Sequence, residues 1–174
     1  MASTDFSAMP CPIARALSVL GERWAMLILR EAFYGSTRFD EFERRLGIAP
    51  NILSNRLKAL VEHGLLDRTH TPGGGARHVY QLTESGREFF PVFVSLKGWA
   101  DRWRATEHGP LTILIDGQDG SEIAPPRLLR RDGSEITLGD VEIVPGPGAK
   151  VFRHELERFN ATAAVAAAFT TDDE

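Results

Sequence analysis

The order and period of apolar residues predict an α+β chain, mainly α. Three observations carry this. Two short amphipathic helical patterns lie side by side in 38–64, parted by a tight turn. Two strand-like runs follow, joined by glycines. A longer, aromatic-rich helical pattern comes after them. Helix, turn, helix, hairpin is the order of a winged helix-turn-helix, here followed by a long helix and a small C-terminal β extension.

Residues 1–10 show no period and are expected to be disordered. Cys11-Pro12 opens the first helix, because proline suits the first helical position. Ile13, Leu17 and Leu20 form its apolar stripe, and Gly21 ends it. A second helix is predicted over 23–34, with Trp24 as a core anchor beside Leu27, Ile28 and Phe33.

In the third helix Phe39, Phe42 and Leu46 recur at near-helical spacing, with Glu41, Glu43, Arg44 and Arg45 between them. Gly47 stops it, as a glycine past a helix end does. After Ile48-Ala49-Pro50 the fourth helix places Leu53, Leu57, Leu60 and Val61 on one stripe. Its other face carries Asn51, Ser54, Asn55 and Lys58, with Arg56 at the edge and no acid. Such groups read base edges when a helix enters the major groove. Asn51, Ser54, Asn55 and Arg56 are therefore candidates for base edges or adjacent phosphates.

Gly64 ends that helix. Strands are predicted over 65–71 and 77–83, joined by Pro72-Gly73-Gly74-Gly75. The hairpin tip would lie along backbone or minor groove and offers His70, Arg77 and His78. Arg38, Lys58, Arg68 and Arg77 are the candidate phosphate contacts.

Thr83 can cap a long helix reaching about 104, with a kink at Pro91. Phe89, Val92, Phe93, Leu96, Trp99, Ala100 and Trp103 keep its period, and Phe90 and Val94 widen the apolar surface. A small helical core cannot cover so much aromatic surface, so a second copy is expected to. Phe89, Phe93, Leu96, Trp99 and Trp103 are the candidate dimerisation residues.

Residues 109–148 change character. Short strands are predicted over 111–115, 126–131 and 140–144, and D-G-S-E-I occurs at 119–123 and again at 132–136. Two turns explain the repeat better than calcium ligation, since the twelve-residue loop of an EF-hand is absent. Residues 149–169 read as a helix, with Phe152, Leu156 and Phe159 on one face, and the rest as a frayed tail.

Four segments follow: a disordered 1–10, a DNA-binding and dimerisation domain at 11–104, the extension at 109–148, and a helix with tail at 149–174. The net charge of −4 is unevenly shared. Residues 11–104 hold 14 Lys/Arg against 10 Asp/Glu, and residues 105–174 hold 6 against 13. The basic part coincides with the winged-helix pattern, and the acidic part is expected to face away from phosphate. No apolar run reaches the length of a membrane span, and 1–9 lacks the regions of a signal peptide. A single cysteine excludes an internal disulfide and points to the cytoplasm.

C-P-I-A-R-A-L at 11–17, G-E-R-W at 21–24, L-I-L-R-E at 27–31 and R-F-D-E-F at 38–42 resemble the HxlR-type bacterial transcriptional regulators. So do L-S-N-R-L-K-A-L at 53–60, H-G-L-L-D-R at 63–68 and Y-Q-L-T-E-S-G-R at 80–87. The resemblance covers about 11–104 in one order and spacing. It implies a homodimer related to the MarR group that binds a double-stranded DNA operator. Dimerisation would use the terminal and first helices. Some members carry a zinc-ribbon-like extension with cysteine knuckles. This extension has similar length but no cysteine or histidine, so no metal is expected.

Cys11 precedes Pro12 and so stands at a helix N-cap, where backbone amides favour a thiolate. Several members of the resembled family sense electrophiles through a cysteine at this position. Cys11 is therefore the redox-sensing candidate, and the competing reading is a small buried hydrophobe. A small-molecule or oxidant effector is the expected further partner.

No catalytic constellation is present. His63, His70, His78, His108 and His154 lack metal-ligand spacing. Gly73-Gly74-Gly75 leads into a strand rather than a helix, and Gly148-Ala149-Lys150 lacks the Gly-Lys-Ser/Thr of a phosphate loop. No enzyme activity and no cofactor are expected. The alternatives are a winged-helix protein-interaction module, against which the acid-free polar face argues, and a regulator answering to a non-covalent ligand.

Overall fold

The computed structural model describes residues 6–70, 78–144 and 146–150. Among the described residues six α-helices and one antiparallel hairpin run in the order α1 (Pro12–Leu20), α2 (Ala25–Phe33), α3 (Phe39–Leu46), α4 (Pro50–Glu62), β1 (Leu66–His70), β2 (His78–Leu82), α5 (Glu84–Glu88), α6 (Phe90–Trp103). Glu22–Arg127 forms one compact unit. The described residues before and after it belong to a second.

In the larger unit α2 packs on α3, α4 and β2, and α4 packs on β1. Ile28, Leu29, Phe42, Leu53, Leu57, Leu60 and Leu66 are buried there. Ile28, Phe42, Leu53, Leu57 and Leu60 are positions the helical period selects, whereas Leu27 and Phe33 are half-buried and Leu29 takes the core place instead. Trp24 is not the anchor expected of it. It stands at the N-cap of α2 and is half-buried, and the next turn, Ile28 and Leu29, fills the core.

Buried Glu31 faces two arginines. Arg30 donates from Nη2 at 2.6 Å and from Nε at 3.0 Å, and Arg45 Nη1 lies 3.5 Å away. Two helices are thereby joined through one carboxylate.

β1 and β2 pair from Leu66↔Leu82 to His70↔His78. The 37–38 backbone also joins β2 through an isolated bridge that no period announced. The Tyr80 N–H donates to the Thr37 carbonyl at 2.7 Å, and Arg38 bridges Val79.

The single helix expected over 83–104 is two. The Thr83 hydroxyl caps α5 by accepting from the Gly86 N–H at 2.9 Å, and donates to the Gly64 carbonyl at 2.6 Å. The helix then restarts at Phe89, which is C-cap to α5 and N-cap to α6. Pro91 lacks an N–H, and at the first turn of a new helix that loss is harmless.

The extension differs too. The strands expected over 111–115, 126–131 and 140–144 are absent. Isolated bridges, Ile115↔Glu122 and Leu129↔Glu135, stand in their place. The repeat does make two turns of one kind. Asp119 accepts from the Ser121 N–H at 2.8 Å, and Asp132 from the Ser134 N–H at 2.9 Å. Gly120 and Gly133 supply positive φ, 76° and 85°. Turn chemistry is local, so it survives where strand pairing fails for want of length. The helix expected over 149–169 and the glycine joint of the hairpin lie outside the described residues, apart from a 3₁₀ turn, Pro147–Lys150.

Candidate nucleic-acid interface

Leu53, Leu57 and Leu60 are buried at i, i+4 and i+7 of α4, and this fixes the helix's rotation. Asn51, Ser54, Asn55 and Lys58 are then forced outward, and all four are exposed. Gly47 at φ 60° and Pro50 at the first helical position set the angle at which α4 leaves α3.

Arg56 does not join that face. Its Nη2 lies 3.0 Å from Glu22 Oε2, with both side chains about two-thirds covered. It serves as an edge tether. Lys58 pairs loosely with Glu62 at 3.6 Å in solvent, an arrangement that leaves its ammonium available.

Between α3, α4 and the hairpin lies a concavity of about 640 Å³ lined by Arg38, Asp40, Ser54, Lys58, Glu62, Arg68 and His78. Arg38 is held at its mouth. Its backbone N–H and that of Thr37 donate to the Glu41 carboxylate at 3.0 and 2.9 Å, and these bonds hold the Glu41 carboxyl below its usual range. Its guanidinium donates to Asp40 at 3.1 Å, which lowers the Asp40 carboxyl likewise.

On the hairpin, Arg68 lies opposite Tyr80, and His70 lies opposite His78 with ring centroids 4.4 Å apart. His78 Nδ1 is buried and has no hydrogen-bond partner. Desolvation first, then Arg68 and His70, hold its pKa below the usual 6.5. The described part of the hairpin thus sets the Arg68 guanidinium near the paired His70 and His78 rings.

Of the eight sequence candidates, Arg38, Ser54, Lys58 and Arg68 meet at this concavity. Asn51 and Asn55 share the exposed face of α4, Arg56 is tied aside, and Arg77 lies outside the described residues. Tyr80 and the Thr37–Tyr80 bond position the site, yet no local pattern marks them.

The helical face expected at a dimer contact needs one correction. Phe93 is buried within the chain, its ring 5.2 Å from Phe33 and 6.1 Å from Tyr34. Phe89 is half-buried. The exposed stripe is Val92, Leu96, Trp99 and Trp103, at i, i+4, i+7 and i+11. Val92 was legible from that spacing. On α1, Ile13 and Leu17 are also exposed. Cys11 is half-buried at the N-cap of α1, and its side chain makes no capping bond.

Among the described residues no helix is long and apolar enough to cross a membrane, and no group of three or more His, Cys, Asp or Glu is placed to hold a metal ion.

The family model of HxlR-like helix-turn-helix proteins matches residues 19–108. Rv3095 of Mycobacterium tuberculosis, an uncharacterised HTH-type transcriptional regulator, is 45% identical over 139 residues, covering 79% of this chain and 87% of its own. The crystal structure of PA1607, described as a candidate transcription factor, is similar with a TM-score of 0.77 and 35% identity, over 82% of this chain and 100% of that one. The redox regulator HypR in its reduced form is similar with a TM-score of 0.50 and 28% identity, over 54% of this chain and 94% of its own. An exposed polar face on α4, a concavity beside the hairpin and a family match over half the chain converge: the chain belongs to the HxlR-like helix-turn-helix family and is a DNA-binding transcriptional regulator, not an enzyme.

Proposed function

We propose that two copies of this chain bind a pseudo-palindromic operator in the cytoplasm and repress the gene beside it. The observation that carries this is the gathering of Arg38, Lys58 and Arg68 around one concavity, next to the exposed Asn51, Ser54 and Asn55. The cations hold phosphates and so set register, and the amides and hydroxyl select bases. The stripe Val92, Leu96, Trp99 and Trp103, together with α1, joins the two copies. Footprinting on the native promoter tests this. Two protected half-sites about 34–36 Å apart are expected. Equal binding to promoter and scrambled DNA overturns the reading.

A second feature concerns the signal. Cys11 is a thiol at a helix N-cap that no capping bond engages, and HypR, a redox regulator, is similar to this chain. In this reading an oxidant or electrophile converts the Cys11 thiol to a bridge between subunits, a mixed disulfide or an adduct, and operator affinity falls.

A further inference from the structure

The first turn of the extension, itself part of the larger unit, is fastened to α6 and the end of α2 at two points. A Cβ placed on Gly98 would come 2.6 Å from Cγ of Pro125, so Pro125 seats on bare helix backbone. The Tyr34 and Thr112 hydroxyls lie 3.1 Å apart and hold the other end. Between these points the Ile123 N–H donates to the Leu114 carbonyl at 2.8 Å. Residues 110–125 therefore form a fixed shelf along α6.

The shelf is apolar on the wrong side for water. Ile113, Leu114, Ile123 and Pro125 line the crevice against Val94 and Gly98. Leu111, Ile113 and Ile115 are nonetheless largely exposed, Leu111 fully. A solvated strand-like segment would place polar residues there. The run 110–115 carries no charge, as the centre of an interface requires. The row is also continuous with the stripe on α6, because Leu111 and Thr112 line the same groove as Leu96 and Ala100.

We propose that Leu111, Ile113 and Ile115 are the second half of the homodimer interface, covered by another copy of this chain together with Leu96, Trp99 and Trp103. The proposal rests on the dimer reading above. Two-fold symmetry lets one patch cover its own counterpart, and Gly98 fixes the shelf's position from the dimer helix itself.

Sedimentation equilibrium on the full chain tests it, with wild type, a Leu111→Asp/Ile113→Asp variant, and Gly98→Val. The last unseats Pro125 without touching the exposed row, and far-UV circular dichroism checks that each variant folds. Both variants are expected to raise the dimer dissociation constant by about 30-fold or more. A constant unchanged in the row variant overturns the proposal. An unchanged constant with a lowered Tm overturns it too, since this chain would then cover the row itself. A monomeric wild type defeats the dimer reading as a whole, and that outcome shows in the wild-type data alone.

Discussion

Arg56 and Glu22 meet across 3.0 Å, at the edge of α4 and at the first residue of the larger unit. The guanidinium is therefore spent on orienting α4. Arg56→Gln is expected to leave sequence preference intact and to cost less than about 1 kcal/mol of stability, as partly exposed pairs do. Asn55→Ala, on the exposed face, is expected to change which operator variants bind. Binding measured on a panel of single-base operator variants separates the two.

Lys58 and Arg68 stand on opposite walls of the concavity. Replacing either with alanine should weaken all DNA sequences alike and lower the salt slope of log Kd by about one unit. Anisotropy titrations at several salt concentrations check this. An unchanged slope for both variants removes the concavity from the interface.

His78 gives a pH dependence with two opposite signs. Its folded-state pKa lies below the usual 6.5, so its contribution to stability is full above pH 6.5. The contribution is lost as pH falls through the lowered value, because the unfolded chain takes the proton more readily. A bound phosphate reverses the local field of Arg68 and His70, so operator binding takes up a proton and tightens over the same fall. Lys58, Asp40 and Glu62 share the concavity and temper the size of the effect. His78→Gln should flatten both curves, read by urea denaturation and by anisotropy between pH 5.5 and 8.

Around Glu31 the order of effects matters. Glu31→Gln leaves two arginines that still reach water, and costs about 1–2 kcal/mol. Arg30→Ala strands a buried carboxylate with only Arg45 at 3.5 Å, and should cost more, about 2–3 kcal/mol. Equal losses in denaturation would mean that the carboxylate is not buried in solution.

The redox reading is tested with Cys11→Ser in an operator-binding assay, with and without diamide. Wild type should lose affinity and the variant should not. Equal loss in both, or loss in neither, ends the case for Cys11.

The legible part of this fold was the part built from local period. Leu53, Leu57 and Leu60 give α4 its rotation, so its polar face followed directly from the sequence. The D-G-S-E-I turns were legible because an aspartate, a glycine and a serine settle their own geometry. The Thr37–Tyr80 strand contact was not, since it joins segments 43 positions apart. Phe93 was misplaced for the same reason. Period marks an apolar face, but only Phe33 and Tyr34 on another helix decide whether that face turns inward. The break at Phe89 escaped notice because a proline two residues on reads equally as a kink.

That break makes α6 a lever. α5 is pinned to the end of α4 through Thr83 and Gly64, whereas α6 runs for 14 residues past the break, a length of about 21 Å, steadied by Phe93 against Phe33 and by Pro125 on Gly98. Tilting it by roughly 5° at Phe89 carries its far end about 2 Å. On duplex DNA that is more than half of the roughly 3.4 Å separating neighbouring base pairs. In the proposed dimer, two such levers would turn a bend too small to disturb either core into a mismatch of spacing between the two copies of α4.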